Sequence, residues 1–193
     1  MKDFFEIRWH GRGGQGAKTV ALLFADAALA TGKHIQAFPE YGPERMGAPV
    51  QSFNRLADKP ITIHSGVENP DVVIVLDPTL MDTVDTAEGI VKNGKILVNT
   101  LRKPSELREE YSIRDDISIH TVNASKIAMD EIKVNKPNTP MLGALIKVTE
   151  ILEFEKMLED TEKKLEKKFK NKPEVVPGNM KSIRRAYEEV VSE

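Results

Sequence analysis

A strand, a glycine-rich turn and a helix follow one another near the start of the chain, and this order limits the possible folds most. Residues 4–10, FFEIRWH, are rich in aromatic and β-branched side chains, which predicts a strand. Residues 17–32, AKTVALLFADAALATG, carry apolar side chains at helical spacing, and HIQAF (34–38) predicts a second strand. Such a strand–helix–strand unit makes a right-handed crossover into a parallel sheet. The start of the sequence therefore predicts an α/β fold.

Strands and helices continue to alternate after this unit. Residues 48–57, APVQSFNRLA, predict an antiparallel or edge strand, and the apolar run in 71–78, DVVIVLDP, predicts a central strand buried on both faces. Asp77 and Pro78 fit the start of a helix, which we expect to run to about Val91. Further strands are predicted at 95–99 and 117–122, and further helices near 104–111, at 123–132 and at 139–152. This alternation predicts a mostly parallel sheet with helices on both faces.

The composition changes at Glu153, where a densely charged segment begins. FEKMLEDTEKKLEKKFK carries its apolar side chains in a narrow seam, which is typical of a helix with a solvated face. Residues 172–178, KPEVVPG, are expected to end this helix before a last amphipathic one, NMKSIRRAYEEVVSE. We therefore predict a main domain over residues 1–152 and a C-terminal helical extension over residues 153–193. The sequence leaves open whether the extension packs on a partner or folds back on the sheet.

The glycine-rich turn, residues 11–16 with the sequence GRGGQG, is the strongest indication of a ligand site. Glycines let a ligand approach the main chain, and the first amides of the following helix have no partner inside that helix. These amides and the positive end of the helix dipole favour an anionic group. Arg12 and Lys18 add positive charge. The alternative is a tight turn that only lets strand and helix pack closely.

Two classes of nucleotide site are disfavoured by single residues. A P-loop has the pattern GxxxxGK[ST], but Ala17 separates Gly16 from Lys18 here and turns the lysine by about 100° around the helix. We therefore reject a nucleotide triphosphatase. A dinucleotide site has an acidic residue at the end of the second strand, and Glu40 is the only candidate for that role. Because Glu40 follows Pro39 and opens a loop, an NAD(P)-binding oxidoreductase is kept only as a weaker alternative.

The composition limits the remaining classes of function. A net charge of −2 argues against a nucleic-acid-binding protein, and no apolar run approaches the length of about 20 residues that spans a bilayer. The N-terminus lacks the apolar core of a signal peptide, so we expect a cytoplasmic protein without nucleic-acid or membrane partners. The chain has no cysteine, which excludes disulfides and thiolate-bound iron–sulfur clusters within it. Its 19 Lys and 19 Glu against 3 Gln indicate a thermophilic source.

Four blocks of the sequence resemble the gamma subunits of the 2-oxoacid:ferredoxin oxidoreductases. They are, in order, RWHGRGGQGAKT (8–19), FPEYGPERMGAPVQSFNRL (38–56), PDVVIVLDP (70–78) and NTPMLGAL (138–145). The resemblance covers the chain to about residue 150 and is strongest to the enzymes that act on pyruvate, through AFPEYGPERMGAPV. It implies a Rossmann-like α/β domain that forms one subunit of a larger enzyme.

The resemblance also implies the reaction and the partners. Enzymes of this family cleave a 2-oxoacid with thiamine diphosphate and Mg²⁺, pass electrons through [4Fe–4S] clusters to ferredoxin, and transfer the acyl group to coenzyme A. The work is divided among alpha, beta, gamma and delta subunits. We expect those cofactors in the partner subunits, because this chain has neither cysteines nor a GDG-type diphosphate motif. The isolated chain is therefore expected to be inactive.

The resemblance narrows the ligand of the turn to coenzyme A, which this chain would help to bind without a catalytic residue or metal ligand of its own. The expected binding residues are those of the turn and of the loop after the second strand, namely Gly11, Arg12, Gly13, Gly14, Gln15, Gly16, Lys18, Glu40, Tyr41 and Arg45. Asn99 and Asn123, which end strands, are weaker candidates. A non-catalytic assembly subunit, in which the glycines serve packing and the 39–49 loop is an interface, remains the alternative.

Overall fold

The computed structural model describes residues 4–40 and 47–193. Seven strands in these ranges form one sheet, namely β1 (Phe5–Arg12), β2 (His34–Pro39), β3 (Pro49–Ala57), β4 (Val72–Val75), β5 (Lys95–Asn99), β6 (Ser118–Val122) and β7 (Val191–Ser192). Six α-helices accompany it, namely α1 (Ala17–Ala30), α2 (Pro104–Tyr111), α3 (Ala124–Ile132), α4 (Asn138–Thr149), α5 (Phe154–Lys168) and α6 (Val175–Glu189). The predicted α/β fold is confirmed.

The sheet has the strand order β2-β3-β1-β4-β5-β6-β7. The strands β1, β4, β5 and β6 are parallel neighbours, which confirms a mostly parallel sheet. The prediction of an antiparallel strand at residues 48–57 is also confirmed, since β3 is antiparallel to β1 and to β2. The first crossover joins two strands that are not neighbours in the sheet. β2 runs in the direction of β1, but β3 lies between the two strands and takes the hydrogen bonds at that edge of β1.

Helices cover both faces of the sheet, but unequally. On the first face, side chains such as Trp9 and Ile74 share one core with residues of α1, α3, α4, α5 and α6. On the second face, Val75 and Val98 pack with Leu107 of α2. Side chains alternate between the faces along each strand. This alternation explains why β4, the continuous apolar run predicted to be a central strand, is buried throughout.

The segment after β4 is not the predicted helix. Instead of a helix to Val91, the chain forms one 3₁₀ turn, Pro78–Leu80, and then a series of other turns. The buried guanidinium of Arg8 gives the reason. It donates hydrogen bonds to the main-chain carbonyl oxygens of Thr86 and Glu88. A helix would need the Thr86 carbonyl for the amide of Ile90, which donates to the carbonyl of Ala87 instead.

The C-terminal segment folds back on the first face of the sheet. Leu158 and Leu165 of α5 are buried in the core that contains α1, and α6 packs along α3 and α4. β7 adds an antiparallel edge strand next to β6. The interruption expected at 172–178 is shorter, because α6 already begins at Val175. The division of the chain into two domains at residue 152 stays a prediction.

A buried asparagine fixes the position of α1 on the sheet. Asn54 of β3 is fully buried and accepts a hydrogen bond of 2.8 Å from the indole N–H of Trp9 in β1. Its Nδ2 donates to the main-chain carbonyl of Ala21 in α1, at 2.9 Å. One side chain thus joins β1, β3 and α1, which are the three elements that surround the glycine-rich turn.

Candidate functional site

The glycine-rich turn lies at the carboxyl end of β1, beside the carboxyl end of β4. α1 follows β1 on the first face of the sheet, whereas the segment after β4 packs on the second face. Connections that leave on opposite faces create the crevice in which open α/β sheets bind ligands. The turn ends at Gly16, whose φ of +84° lies in the left-handed region that favours glycine. The fold therefore places the turn at the expected ligand position.

Side chains of the turn bind one another and the end of β4. The amide of Arg12 donates to Gln15 Oε1, and Gln15 Nε2 donates to Asp77 Oδ2, each at 2.8 Å. The Arg12 guanidinium donates to Asp77 Oδ2 (3.2 Å) and to Thr79 Oγ1 (2.8 Å). Burial alone would raise the pKa of Asp77, but the hydrogen bonds and the positive charge it receives hold that pKa below its ordinary value. Arg12 and Gln15 therefore brace the turn.

Two helix starts meet beside the turn. Neither α1 nor α4 has a side chain that caps its first amides, and neither has an acidic residue in its first turn. Asn138, at the start of α4, lies against Gly16, so that a Cβ at Gly16 would be 2.5 Å from Asn138 Nδ2. Asn138 is 7% exposed, and its side chain makes no hydrogen bond to any residue in the described ranges. Main-chain amides without a side-chain cap, the positive ends of two helix dipoles and the side-chain amide of Asn138 therefore lie close together here.

A cavity of about 480 Å³, which we name the turn cavity, lies against this place. It is lined by the turn, by the first residues of α1 and by the ends of β2 and β3, namely Arg12, Gly13, Gly14, Gly16, Ala17, Lys18, Thr19, Pro39, Glu40, Val50, Gln51 and Ser52. Lys18 and Glu40 are both exposed to solvent. The cavity thus combines main-chain amides with charged side chains of both signs.

The turn cavity unites six of the ten residues that the sequence predicted for the site. Gly11 and Gln15 do not line it. Gly11 packs closely instead, since a Cβ there would lie 3.3 Å from a methyl of Leu76. Tyr41 and Arg45 lie outside the described residues. The predicted residues that do line the cavity are Arg12, Gly13, Gly14, Gly16, Lys18 and Glu40.

The two asparagines at strand ends bind the chain itself. Asn99 Nδ2 donates to the main-chain carbonyl of Leu76 and to Ser125 Oγ. Asn123 accepts a hydrogen bond from the amide of Lys126 and so caps α3. Neither asparagine lines the turn cavity. Sequence reasoning missed Asn138 instead, although the Asn-Thr-Pro that opens α4 was a visible signal of a helix start.

The strand order disfavours a dinucleotide at the turn. In a dinucleotide-binding unit, the acidic residue that holds the ribose ends the strand next to the glycine-rich strand. Here Glu40 follows β2, and β3 separates β2 from β1. The carboxylate therefore does not occupy the position that an NAD(P) site requires.

His10, the residue before the turn, gives a prediction for pH dependence. Burial, reinforced by the Arg8 charge, lowers the pKa of His10 to about 3, against about 6.5 in an unfolded chain. Between these values the unfolded state binds a proton that the folded state does not, so stability falls as the pH falls through this window. His10→Gln is expected to make the slope of unfolding free energy against pH shallower, by up to about 1.4 kcal/mol per pH unit.

Denaturant unfolding of the full chain between pH 6.5 and pH 4 measures this slope. His34→Gln is the matched control, because His34 is exposed at the start of β2. A His10→Gln slope equal to that of the control would contradict the prediction.

Over the described ranges, no helix is long and apolar enough to cross a membrane. No group of three or more His, Asp or Glu side chains in these ranges is placed to hold a metal ion. The turn cavity brings together main-chain amides, Arg12, Lys18 and Glu40, and the amides and the two cations suit an anionic organic ligand.

Comparison with known proteins agrees with this geometry. The family model described as pyruvate ferredoxin/flavodoxin oxidoreductase matches residues 6–189. The pyruvate synthase subunit PorC of Thermotoga maritima is 49% identical over 189 residues, which are 98% of this chain and 96% of that protein.

Solved structures extend the comparison. The crystal structure of pyruvate oxidoreductase subunit PORC from Thermotoga maritima matches with a TM-score of 0.86 and 46% identity, over 100% of this chain and 99% of that one. The 2-oxoglutarate:ferredoxin oxidoreductase of Magnetococcus marinus, solved with 2-oxoglutarate, coenzyme A and succinyl-CoA bound, matches with a TM-score of 0.76. That match has 20% identity and covers 97% of this chain but 31% of the other, so it shows a shared fold. This chain belongs to the pyruvate ferredoxin/flavodoxin oxidoreductase family.

Proposed function

We propose that this chain is the gamma subunit of a cytoplasmic pyruvate:ferredoxin oxidoreductase, that is, a pyruvate synthase. The complex converts pyruvate and coenzyme A to acetyl-CoA and CO₂, and the electrons released reduce ferredoxin. The name of the Thermotoga maritima relative supports this assignment, because nearly the whole of both chains aligns. The family assignment supports the reaction class.

The redox and thiamine chemistry belongs to the alpha, beta and delta subunits in this proposal. Thiolates of cysteine hold [4Fe–4S] clusters, and this chain has no cysteine. Thiamine diphosphate and Mg²⁺ are assigned to the partners as well. The contribution of this chain is then to bind and orient a substrate of the complex.

Coenzyme A is the substrate that we assign to the turn. The observation that carries this assignment is the meeting of two uncapped helix starts at Gly16 and Asn138, beside the turn cavity. Helix starts of this kind bind phosphate groups, which coenzyme A carries at its nucleotide end. The structure of the Magnetococcus marinus enzyme contains bound coenzyme A, which supports coenzyme A as the anionic ligand of the turn.

In this proposal some residues of the turn stabilise its conformation and others contact the ligand. Arg12 and Gln15 hold the turn in shape, and the amide of Gly13 ties it to the carbonyl of Ala48 at 2.9 Å. Gly14 and Gly16 give the ligand access to the start of α1, and Lys18 supplies a cation. The loop from Glu40 to Arg45, which includes Tyr41, completes the site or faces a neighbouring subunit.

Affinity purification of the native protein tests the proposal. We expect a thiamine-binding chain and a cysteine-rich ferredoxin-like chain to co-purify with it, and the preparation to reduce ferredoxin when pyruvate and coenzyme A are added. Purification as a single chain that binds NADH saturably would contradict the proposal and would favour an NAD(P) enzyme.

A further inference from the structure

The free edge of β2 carries an apolar surface that the described part of the chain leaves uncovered. β2 ends the sheet on one side, so one of its edges pairs with no described strand. Two exposed leucines of α1 lie beside this edge, Leu22 and Leu29, which are 47% and 62% exposed. A third exposed apolar residue, Ile63, lies on the opposite side of β2, where its main-chain carbonyl accepts a hydrogen bond from Gln36. We name the outer edge of β2 together with Leu22, Ala25 and Leu29 the edge surface.

A groove along this edge shows how α1 and β2 are aligned. It has a volume of about 190 Å³, and its lining includes Leu22 of α1 and Ala37 of β2. α1 and β2 run in opposite directions, because a short turn, residues 31–33, joins them. Three residues of helix advance about 4.5 Å and one residue of strand advances about 3.3 Å. Ala25 therefore lies at about the level of Gln36.

The main chain of β2 presents hydrogen-bonding groups along its free edge. The amide of Glu40 donates to the carbonyl of Gln51, next to β3, and alternate residues of an antiparallel strand face its partner. The even-numbered residues of β2 therefore face β3, and Ile35 and Ala37 turn their N–H and C=O groups outward. Pro39 also faces outward, where the ladder to β3 needs no amide from it.

A two-fold axis through Gln36 makes this main-chain edge complementary to itself. In an antiparallel pair of β2 strands centred there, Ile35 of one copy lies opposite Ala37 of the other, and each such pair exchanges two hydrogen bonds. Pro39 lies beyond these pairs, so its missing amide breaks neither of them. The free edge of β2 can therefore pair with the same edge of a second copy.

The same axis makes the exposed side of α1 complementary to itself. Because Ala25 lies at the level of Gln36, two antiparallel α1 helices meet near Ala25, whose small side chain permits a close approach. Leu29 lies about two turns beyond Leu22 on the same side of α1, so the axis sets Leu22 of one copy against Leu29 of the other. We infer that the edge surface binds a second copy of this chain, which joins the two sheets into one.

Charged residues at the two ends of the edge surface fit this occupant. Lys18 and Glu40 are exposed at the end near the glycine-rich turn, and Lys33 and Asp58 lie at the other end, where Asp58 is 82% exposed. The antiparallel arrangement brings each end of one copy to the opposite end of the other. Lys18 then approaches Asp58, and Glu40 approaches Lys33, so opposite charges meet at both ends. Strand, helix and charge thus share one axis, which selects a second copy as the occupant.

Sedimentation velocity of the full chain tests the inference with a matched pair of variants. The chain has a mass of 21.6 kDa, and a dimer has about twice that mass. The test variant is Leu22→Arg/Leu29→Arg. The control is Met129→Arg/Val191→Arg, which changes apolar residues that are 48% and 53% exposed and lie outside the edge surface. All four side chains are exposed, and both variants add the same charge.

We expect the native chain and the control to sediment as dimers. The test variant is expected to raise the dissociation constant of the dimer about a hundredfold or more, because leucine contacts are lost and guanidinium groups meet across the axis. Far-UV circular dichroism is expected to be the same for all three proteins. A monomeric native chain would overturn the inference, and so would a dimer that both variants weaken equally.

A single cysteine identifies the neighbour of the edge surface in the assembled complex. The native chain has no cysteine, so Ala25→Cys adds one thiol at the proposed axis, and Met129→Cys is the control. We expect a short bismaleimide crosslinker to join two copies of this chain in the Ala25→Cys complex and not in the control. A product that joins this chain to a different subunit would overturn the inference, and so would equal yields of the dimer product from the two variants.

Discussion

Replacing Arg55 with methionine is expected to destabilise the chain by about 3–5 kcal/mol, because the substitution breaks a buried ion pair with Glu6 and removes the other hydrogen bonds of the buried guanidinium. Arg55 is 1% exposed, and its Nε donates to Glu6 Oε1 at 2.7 Å. The same guanidinium donates to Gln36 and to the main-chain carbonyls of Ser65 and Gly66. It therefore joins β1, β2 and β3 on the second face of the sheet and holds the 65–66 segment on them.

Denaturant unfolding of the full chain measures this loss. Arg184→Met is the matched control, since Arg184 forms a two-pronged ion pair with Glu155 in which both side chains are exposed. Exposed pairs contribute about 0–1 kcal/mol, so the control is expected to stay within that range. The double variant Glu6→Leu/Arg55→Met is expected to recover part of the loss, because it removes both buried charges. A loss from Arg55→Met no larger than that of the control would contradict the account.

Local sequence patterns were sufficient to locate most elements of the fold. The helix predicted near 104–111 is α2, and the run of apolar residues at 95–99 is β5. Both elements carry local signals, an apolar run in β5 and Pro104 at the start of α2, and such signals act within a few residues. Strand partners are different, because they are chosen by contacts between distant segments. Periodicity predicted β2 as a strand, but it could not show that β3 would lie between β2 and β1.

The false helix after β4 has a related cause. Asp77 and Pro78 form a genuine helix-start signal, and Asp77 does accept a hydrogen bond from the amide of Thr79. Arg8, about 80 residues earlier in the chain, binds the carbonyl of Thr86, which a helix would need for the amide of Ile90. A buried arginine on β1 thus opposes the local preference. Gly89, whose φ of +73° is not helical, is a signal within the segment that also disfavours a helix.

The candidate site was predictable only in part for the same reason. The turn itself is contiguous, and its glycines and its place before a helix identified it. Arg12 was expected to face the ligand, and that role stays a prediction. Its hydrogen bonds to Asp77 and Thr79 could not be predicted, because they depend on β4 lying next to β1. Asn138 begins α4, and it lies at Gly16 because α4 packs against α1. That packing joins segments about 120 residues apart, which periodicity does not show.

The central claim concerns Gly16, and its replacement with alanine is expected to raise the KM for coenzyme A about tenfold to a hundredfold. The new Cβ would lie 2.5 Å from Asn138 Nδ2, and the positive φ adds about 1–2 kcal/mol of backbone strain. The Asn138 side chain must turn away, so that its amide no longer lies at the turn. A lost hydrogen bond to a charged group costs about 1.5–3 kcal/mol, which is about tenfold to a hundredfold in affinity.

Gly32→Ala is the matched control for the strain. Gly32 follows the other end of α1 with nearly the same φ, +83°, and a Cβ there meets nothing within 4 Å. Backbone strain should lower the free energy of unfolding by a similar amount in both variants. A difference between them in the KM for coenzyme A therefore reports a change at the site and not a change in folding.

The decisive measurement is the KM for coenzyme A of the assembled complex with Gly16→Ala, beside Gly32→Ala and with the KM for pyruvate measured in parallel. We predict that Gly16→Ala raises the KM for coenzyme A alone, and that Gly32→Ala leaves both KM values unchanged. Equal KM values for coenzyme A in the two variants would show that the glycine-rich turn does not bind coenzyme A, and would leave packing and assembly as its role.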